Sequence, residues 1–524
     1  MSWLMDHVWQ PEIDELADRR ARARELGGLE RIARQHDAGK LTVRERFDAF
    51  CDPGSFDEVG SVSGVGTYDA EGNMVGFTPT NLVCGVAEVD GRPVVVSGDD
   101  FTVRGGSSEA TLPAKRQFAE QIAIELRLPH VRLVDGMGGG GSVKSIELKG
   151  RTLIPALHGW ETVVEHLGVA PSVALALGSV AGLGAARIAT SHYSLMVAGT
   201  SQMMIAGPAL VDQASLGSVS KEELGHARIH TSNGSVDDVV ASEEEAFART
   251  RQFLSYLPSS IDELPPRGST DDDPNRCDEE LASIIPRDSR KVYKMRKIIE
   301  KVVDSDSFFE IGRGWGKSVI TGFVRIDGWP VALFAEDPYV YGGAWTADAS
   351  RKVARFCDLA STFHLPLVHL EDCPGFLIGK ESEESGTIRF GSLALAALGQ
   401  SKSPFCCVVI RKAFGVAGAA NQKPGATHFR YAWPSGDWGS LPIEGGLEVA
   451  YRTELDGLEG AALNTEIDKI RTRLNRFRSP FRSAEVFEIE EVIDPRDTRT
   501  ILSKWVNLVR RSQKPQPMAW TYRP

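Results

Sequence analysis

The alternation of apolar and polar positions along the 524-residue chain predicts short buried strands separated by amphipathic helices and glycine-rich turns. Residues 94–97 and 331–334 are apolar runs, each following an Asp-Gly-x-Pro turn. Residues 114–126 and 351–363 carry apolar side chains at helical spacing, whereas 131–134 and 368–370 read as strands running into an acid. Farther on, 173–177 leads into the small-residue stretch 178–186, and 406–410 leads toward 415–420. Strand, glycine turn and helix recurring in this order predict an α/β layered fold.

The pattern occurs twice. Residues 90–106 (DGRPVVVSGDDFTVRGG) align with 327–343 (DGWPVALFAEDPYVYGG), and 128–135 (LPHVRLVD) with 365–372 (LPLVHLED), both at an offset of 237. Upstream, 52–60 (DPGSFDEVG) aligns with 304–312 (DSDSFFEIG) at an offset of 252, so the first copy carries about 15 extra residues, expected around 68–77. A period this long excludes a solenoid and predicts a duplicated domain. The Pro, Gly, Ser and acid composition of 259–285 has the character of a linker, which divides the chain into domains 1–262 and 263–524.

Composition narrows the function. A net charge of −12 without a basic stripe argues against nucleic acid as a partner. No window reaches the 18 apolar residues of a membrane helix, and the acidic N-terminal stretch is unlike a secretory signal. The seven cysteines form no C-x-x-C pair, so no zinc ligand set is visible and a reducing compartment, the cytoplasm, is expected.

Candidate chemistry lies in the turns. Residues 136–142 (GMGGGGS) lack the Gly-Lys-Ser/Thr ending of a phosphate loop, and 178–184 (GSVAGLG) lacks the third glycine of a dinucleotide fingerprint. No G-x-S-x-G elbow marks a serine nucleophile. Backbone N–H groups at such turns suit an oxyanion, with the helix dipole favouring negative charge and small residues allowing close approach. The alternative is that the glycines serve only tight helix–sheet packing. His226 and His230 fall at i, i+4 but lack an evident third metal ligand. Cys373 has no base nearby in sequence, and Asp135 and Asp372 stand at equivalent strand ends, where an acid commonly caps a following helix. Trp345, Trp433 and Trp438 suit either a pocket or the core, and 510–524 lacks core periodicity.

Several blocks together resemble one family. They are 39–46 (GKLTVRER), 52–56 (DPGSF), 100–107 (DFTVRGGS), 200–208 (TSQMMIAGP) and 221–225 (KEELG) in the first copy. In the second they are 372–376 (DCPGF), Ile388-Arg389 with Gly391, 411–415 (RKAFG) and 431–434 (YAWP). From residue 36 to 499 the chain is similar to the carboxyltransferase (β) subunits of biotin-dependent acyl-CoA carboxylases, propionyl-CoA carboxylase type. The resemblance implies an α/β architecture of two tandem crotonase-like (ClpP/crotonase superfamily) domains, assembled as a hexamer that is a trimer of dimers. It implies acyl-CoA on the first domain, carboxybiotin on the second, and a partner α subunit carrying biotin carboxylase and the biotin carrier, since no biotinylation motif or ATP-grasp segment occurs here. Carboxyl transfer would pass through an enolate held by two backbone pairs, Gly182 with Leu183 and Val416 with Ala417. Gly139, Gly140, Gly178, Ala181, Gly415, Gly418 and Ala419 would line the substrate sites, with no metal.

Against the family pattern, the first-strand turn reads Asp135-Gly-Met-Gly-Gly-Gly-Gly-Ser142 without the Arg of the usual Ser-Gly-Gly-Ala-Arg, Leu183 replaces a glycine, and Ala419 replaces an aspartate linked to short acyl chains. A larger or branched acyl group is the expected substrate. A decarboxylase transferase subunit running the same half-reaction backwards, and a silent scaffold, are the rival readings.

Overall fold

The computed structural model describes residues 8–107, 110–136, 146–147, 150–152, 154, 157, 159–423 and 428–516. One compact unit holds residues up to Thr231 together with Ser235–Ser255, and the other holds Ser232–Gly234 and the chain from Tyr256 onward.

The first unit is built on a seven-stranded sheet in the order Asp57–Glu58, Leu82–Val89, Arg92–Asp99, His130–Val134, Ser172–Ala176, Tyr193–Val197, Asp238–Val240. Its first two pairings are antiparallel and the rest parallel. The second repeats this plan as Phe309–Ile311, Val319–Ile326, Trp329–Glu336, Leu367–Cys373, Phe405–Phe414, Phe429–Ala432, Glu491–Val492. Asp437–Gly439 pairs separately with the end of Phe405–Phe414. The parallel strands are buried along their whole length, which is why they read as continuous apolar runs.

Strand register carries the duplication into three dimensions. Val86 pairs with Val95 and Val95 with His130; Phe323 pairs with Ala332 and Ala332 with Leu367, all displaced by the same 237. Asp57 opposite Val86 becomes Phe309 opposite Phe323, which reproduces the 252 offset upstream. The extra residues of the first copy form the antiparallel hairpin Gly64–Tyr68 and Met74–Pro79.

The repeated Asp-Gly has a defined task. Asp90 and Gly91 have φ of 52° and 72°, and Asp327 and Gly328 have 51° and 75°, the paired positive values of a two-residue hairpin turn. Asp52 accepts both amides of the first turn at 3.0 and 2.8 Å, and Asp304 those of the second at 2.9 and 2.7 Å. The segment with linker composition is tied to the second unit: buried Arg499 donates to the carbonyls of Asp272 and Asp273 and pairs with Asp304 at 2.9 Å.

Helices cover the sheets where periodicity placed them. Pro113–Glu125 and Ala347–Thr362 correspond to 114–126 and 351–363; the second begins four residues early because Thr346 caps it through the Ala349 amide at 3.0 Å. In the second unit Ile298, Ile299, Val302, Leu502, Trp505 and Val506 pack from two helices against Leu333, Val368 and Val408, each such burial contributing about 1.5–3 kcal/mol. Among the described residues no helix is long and apolar enough to cross a membrane.

In the first unit, helix Val43–Phe50 starts at a capping box in which Thr42 and Glu45 satisfy each other's backbone amides. Thr42→Ala is expected to cost about 1 kcal/mol, read as a lower urea midpoint at unchanged slope.

Candidate active site

In the first unit strand Ser172–Ala176 runs through Leu177 into Gly178, whose hydrogen faces a buried charge cluster. Asp135, fully buried, receives Lys40 at 3.1 Å and Gln35 at 3.0 Å and forms an ion pair with Arg46 at 3.0 Å, and Arg46 also makes two 2.8 Å bonds to Glu243. A Cβ on Gly178 would stand 1.9 Å from the Asp135 carboxylate. The chain then forms Ser179–Ala181, paired in parallel with Gln202–Met204, and turns at Gly182 (φ 59°, ψ −124°) into helix Leu183–Ala189. This backbone requires glycine.

The Gly182 amide donates to Met204 O at 3.2 Å as the last rung of that ladder. Leu183 N–H is therefore the first amide of the turn with no partner among the described residues. The helix is anchored from below by Arg187, which pairs with Glu120 at 2.6 Å. Burial raises the Glu120 pKa, but Arg132 and His130 outweigh it and hold the carboxyl well below its usual range.

In the second unit the equivalent strand, Phe405–Phe414, ends at Gly415 (φ 63°), which opens the four-residue helix Gly415–Gly418 and a 3₁₀ turn, Ala419–Asn421. Val416 is 62% exposed and Ala417 is buried. Gly415, Gly418, Ala419 and Asn421 line a cavity of about 250 Å³ with Arg430 and Trp438. The structure thus gathers Gly178, Ala181, Gly182 and Leu183 on one turn and Gly415 to Ala419 on another. Gly139 and Gly140 lie outside the described residues.

Known proteins resemble the chain over nearly its whole length. A family model described as the carboxyl transferase domain matches residues 34–521. The chain belongs to this family. It is 33% identical to the propionyl-CoA carboxylase, carboxyltransferase subunit of Haloferax mediterranei, over 97% of this chain and 98% of that one. It is 31% identical to the methylmalonyl-CoA carboxyltransferase 12S subunit of Propionibacterium freudenreichii subsp. shermanii, over 96% and 95%. A transcarboxylase 12S crystal structure, described as a hexamer assembly with methylmalonyl-coenzyme A and methylmalonic acid bound, superposes with a TM-score of 0.85. That match is 29% identical and covers 98% of this chain and 97% of that one. The fold is accordingly α/β with two crotonase-like halves, and the activity class is carboxyl transfer.

Other side chains singled out by sequence take definite places in this carboxyl transferase. Among the described residues Asp135 and Asp372 cap no helix; buried cations claim them instead. Asp372 is held by Arg411 at 2.9 Å, by the Tyr293 hydroxyl at 2.8 Å and by the Lys412 amide at 3.1 Å. His226 ends helix Lys221–Gly225 while His230 lies on Ala227–Ser232, so the interruption between the two helices undoes their helical spacing; His230 bonds to Met203 O. Burial pushes the Cys373 thiol well above its usual pKa, which removes it as a nucleophile. Trp345 and Trp433 are core residues, whereas Trp438 borders the cavity and donates to Ser483 at 3.1 Å. Arg510, which opens the C-terminal segment, packs over Trp329 and donates to Pro265 O at 2.6 Å.

Sequence reading missed a buried group beneath the second turn. His369, Glu371 and Cys407 offer ligand-type atoms within 4.8 Å of one another, the one such group among the described residues. Both ring nitrogens of His369 already face oxygens, Ala420 O at 3.2 Å and Glu336 at 3.0 Å. Burial and the Glu336 carboxylate push Glu371 well above the usual carboxyl range, and burial and Glu371 do the same to the Cys407 thiol. The available signal was the His-x-Glu alternation, which puts both side chains on one face of a strand.

Proposed function

We propose that this chain is the carboxyltransferase subunit of a biotin-dependent acyl-CoA carboxylase, moving CO2 from carboxybiotin to the α-carbon of an acyl-CoA. The observation that carries the reading is the strand, glycine turn and short helix present in both units, the second opening on a cavity. Leu183 N–H would hold the thioester oxygen; Gly182 N–H would join it by releasing its 3.2 Å bond to Met204. Val416 and Ala417 N–H would hold the ureido oxygen as the N–CO2 bond breaks. The ureido nitrogen then takes the acyl α-proton and the enolate carbon attacks CO2, so no side-chain base is needed. Gly139, Gly140, Gly178, Ala181, Gly415, Gly418 and Ala419 would shape the two substrate sites.

The partner would be an α subunit with biotin carboxylase and biotin carrier activities, the assembly a hexamer formed as a trimer of dimers, and the compartment the cytoplasm. Ala419, exposed on the cavity wall where the resembling family has aspartate, supports a larger or branched acyl group. A free-biotin transcarboxylation assay across acyl-CoAs should give the highest kcat/KM with such a substrate. Much faster carboxylation of propionyl-CoA would remove the substrate assignment, and no transfer with any acyl-CoA would remove the activity. A 31% identical relative is the methylmalonyl-CoA decarboxylase subunit alpha of Veillonella parvula. It favours, as the second reading, the same half-reaction in reverse, which the assay separates by running from the carboxylated CoA.

A further inference from the structure

The second glycine turn cannot hold its own shape. A helix of four residues lies far below the length at which a helix is stable alone, so its orientation depends on what grips its carbonyls. One of its own carbonyls and one in the 3₁₀ turn that follows are each met by a side chain. Asn421 Nδ2 donates to Gly418 O at 2.9 Å, and His369 Nδ1 faces Ala420 O at 3.2 Å. His369 is fixed in turn: its Nε2 lies 3.0 and 3.1 Å from the two Glu336 oxygens, and its ring stacks on Phe334 at 4.0 Å. Glu336 also accepts from Trp345 Nε1 at 3.0 Å and from the Asp372 amide at 2.9 Å. Glu336, His369 and Trp345 are all fully buried, and none touches the cavity.

We infer that Glu336 and His369 are positioning residues for the proposed carboxyl transfer, fixing through Ala420 the turn whose Gly415, Gly418 and Ala419 wall the cavity. The inference rests on the proposed activity, because only that reading gives the turn a substrate. Each link suits the task. Three donors converge on one carboxylate, so Glu336 is held in a single orientation. Burial raises its pKa, yet His369 together with the Trp345 and Asp372 donors outweighs burial and keeps the carboxyl below its usual range, so it remains an acceptor for all three. The two ring nitrogens of His369 face the carboxylate and the Ala420 carbonyl, so the ring is pinned at both edges. Placement matters because a shift of about 1 Å at a reacting group costs roughly a hundredfold in rate.

The test is the full chain carrying His369→Phe with Glu336→Gln. Phenylalanine keeps the stack on Phe334, and glutamine avoids a buried carboxylate without its partner. With free biotin and the best acyl-CoA of the wild type, kcat should fall roughly ten- to hundredfold while KM stays within about twofold. Amide exchange across residues 415–421, read by mass spectrometry, should quicken. His369→Asn, which restores a donor toward Ala420, should recover part of both. Wild-type kcat together with unchanged exchange in the double variant would overturn the inference. Should the double variant not fold, Glu336→Gln alone is read in the same way. If the wild type transfers nothing, the proposed activity fails, and exchange at 415–421 alone decides whether the pair positions the turn.

Discussion

Gly178→Ala is expected to destabilise the first unit by roughly 3 kcal/mol or more and to abolish carboxyl transfer. The reason is space. Gly178 is not among the glycines with positive φ, so an alanine backbone is permitted there. The added carbon would stand 1.9 Å from Asp135 Oδ1 and 2.9 Å from Lys40 Nζ. Those atoms cannot swing aside, because Asp135 is buried and also held by Gln35 and Arg46. Either the turn moves outward or the ion pair opens, and opening a buried pair costs about 3–5 kcal/mol. Outward movement displaces Ser179–Ala181 and with it the Leu183 amide. Gly207→Ala is the control: nothing lies within 4 Å of a Cβ there and its φ is −71°, so only its place as the N-cap of helix Pro208–Gln213 is at stake, and a loss of about 1 kcal/mol or less is expected. Urea unfolding of the two variants makes the comparison. Equal midpoints for Gly178→Ala and wild type would show that the cluster yields without cost.

Gly178 also marks how far the sequence could be read. Its place at a strand-to-helix turn was legible from local pattern, as were the hairpin at Asp90-Gly91 and its copy at Asp327-Gly328, because such signals lie within a few residues of each other. The reason it must be glycine was not, because Asp135 and Lys40 reach it from far away in the chain. The same distance hid the roles of Asp135 and Asp372. A local rule makes them helix caps, whereas Arg46 and Arg411 claim them across 89 and 39 residues. The cluster under the second turn follows suit: Glu336 meets His369 across 33 residues and His369 meets Ala420 across 51. The duplication escaped this limit because it compares the chain with itself. An offset of 237 in sequence became the same offset in strand register.

Acidification is expected to weaken the first unit through His166. This side chain ends helix Trp160–His166, is fully buried, and has Nε2 3.0 Å from Leu128 O, which fixes the proton there. Its Nδ1 is buried without a hydrogen-bond partner among the described residues, so a second proton would sit unsolvated. Burial, then the charges of Arg132 and His130, push the imidazole from 6.5 down to about 3. A base with a depressed folded pKa refuses a proton that the unfolded chain accepts. The stability it contributes is therefore complete above pH 6.5 and is lost progressively as pH falls from about 6.5 toward 3. One proton corresponds to about 1.4 kcal/mol per pH unit, so from pH 6.5 to 4.5 the loss should be about 2–3 kcal/mol. Burial also depresses His130, which adds to the same window. Glu120, held well below its usual range, loses its contribution only at lower pH, below the ordinary carboxyl pKa of 4.5. His166→Gln keeps a donor for Leu128 and cannot titrate. Urea unfolding at pH 7.5, 6.0 and 5.0 should give a pH slope shallower by close to one proton than that of the wild type. An identical slope in the two proteins would mean that His166 takes up its proton in the folded state near its ordinary pKa, and that the buried Nδ1 finds a partner on opening to water.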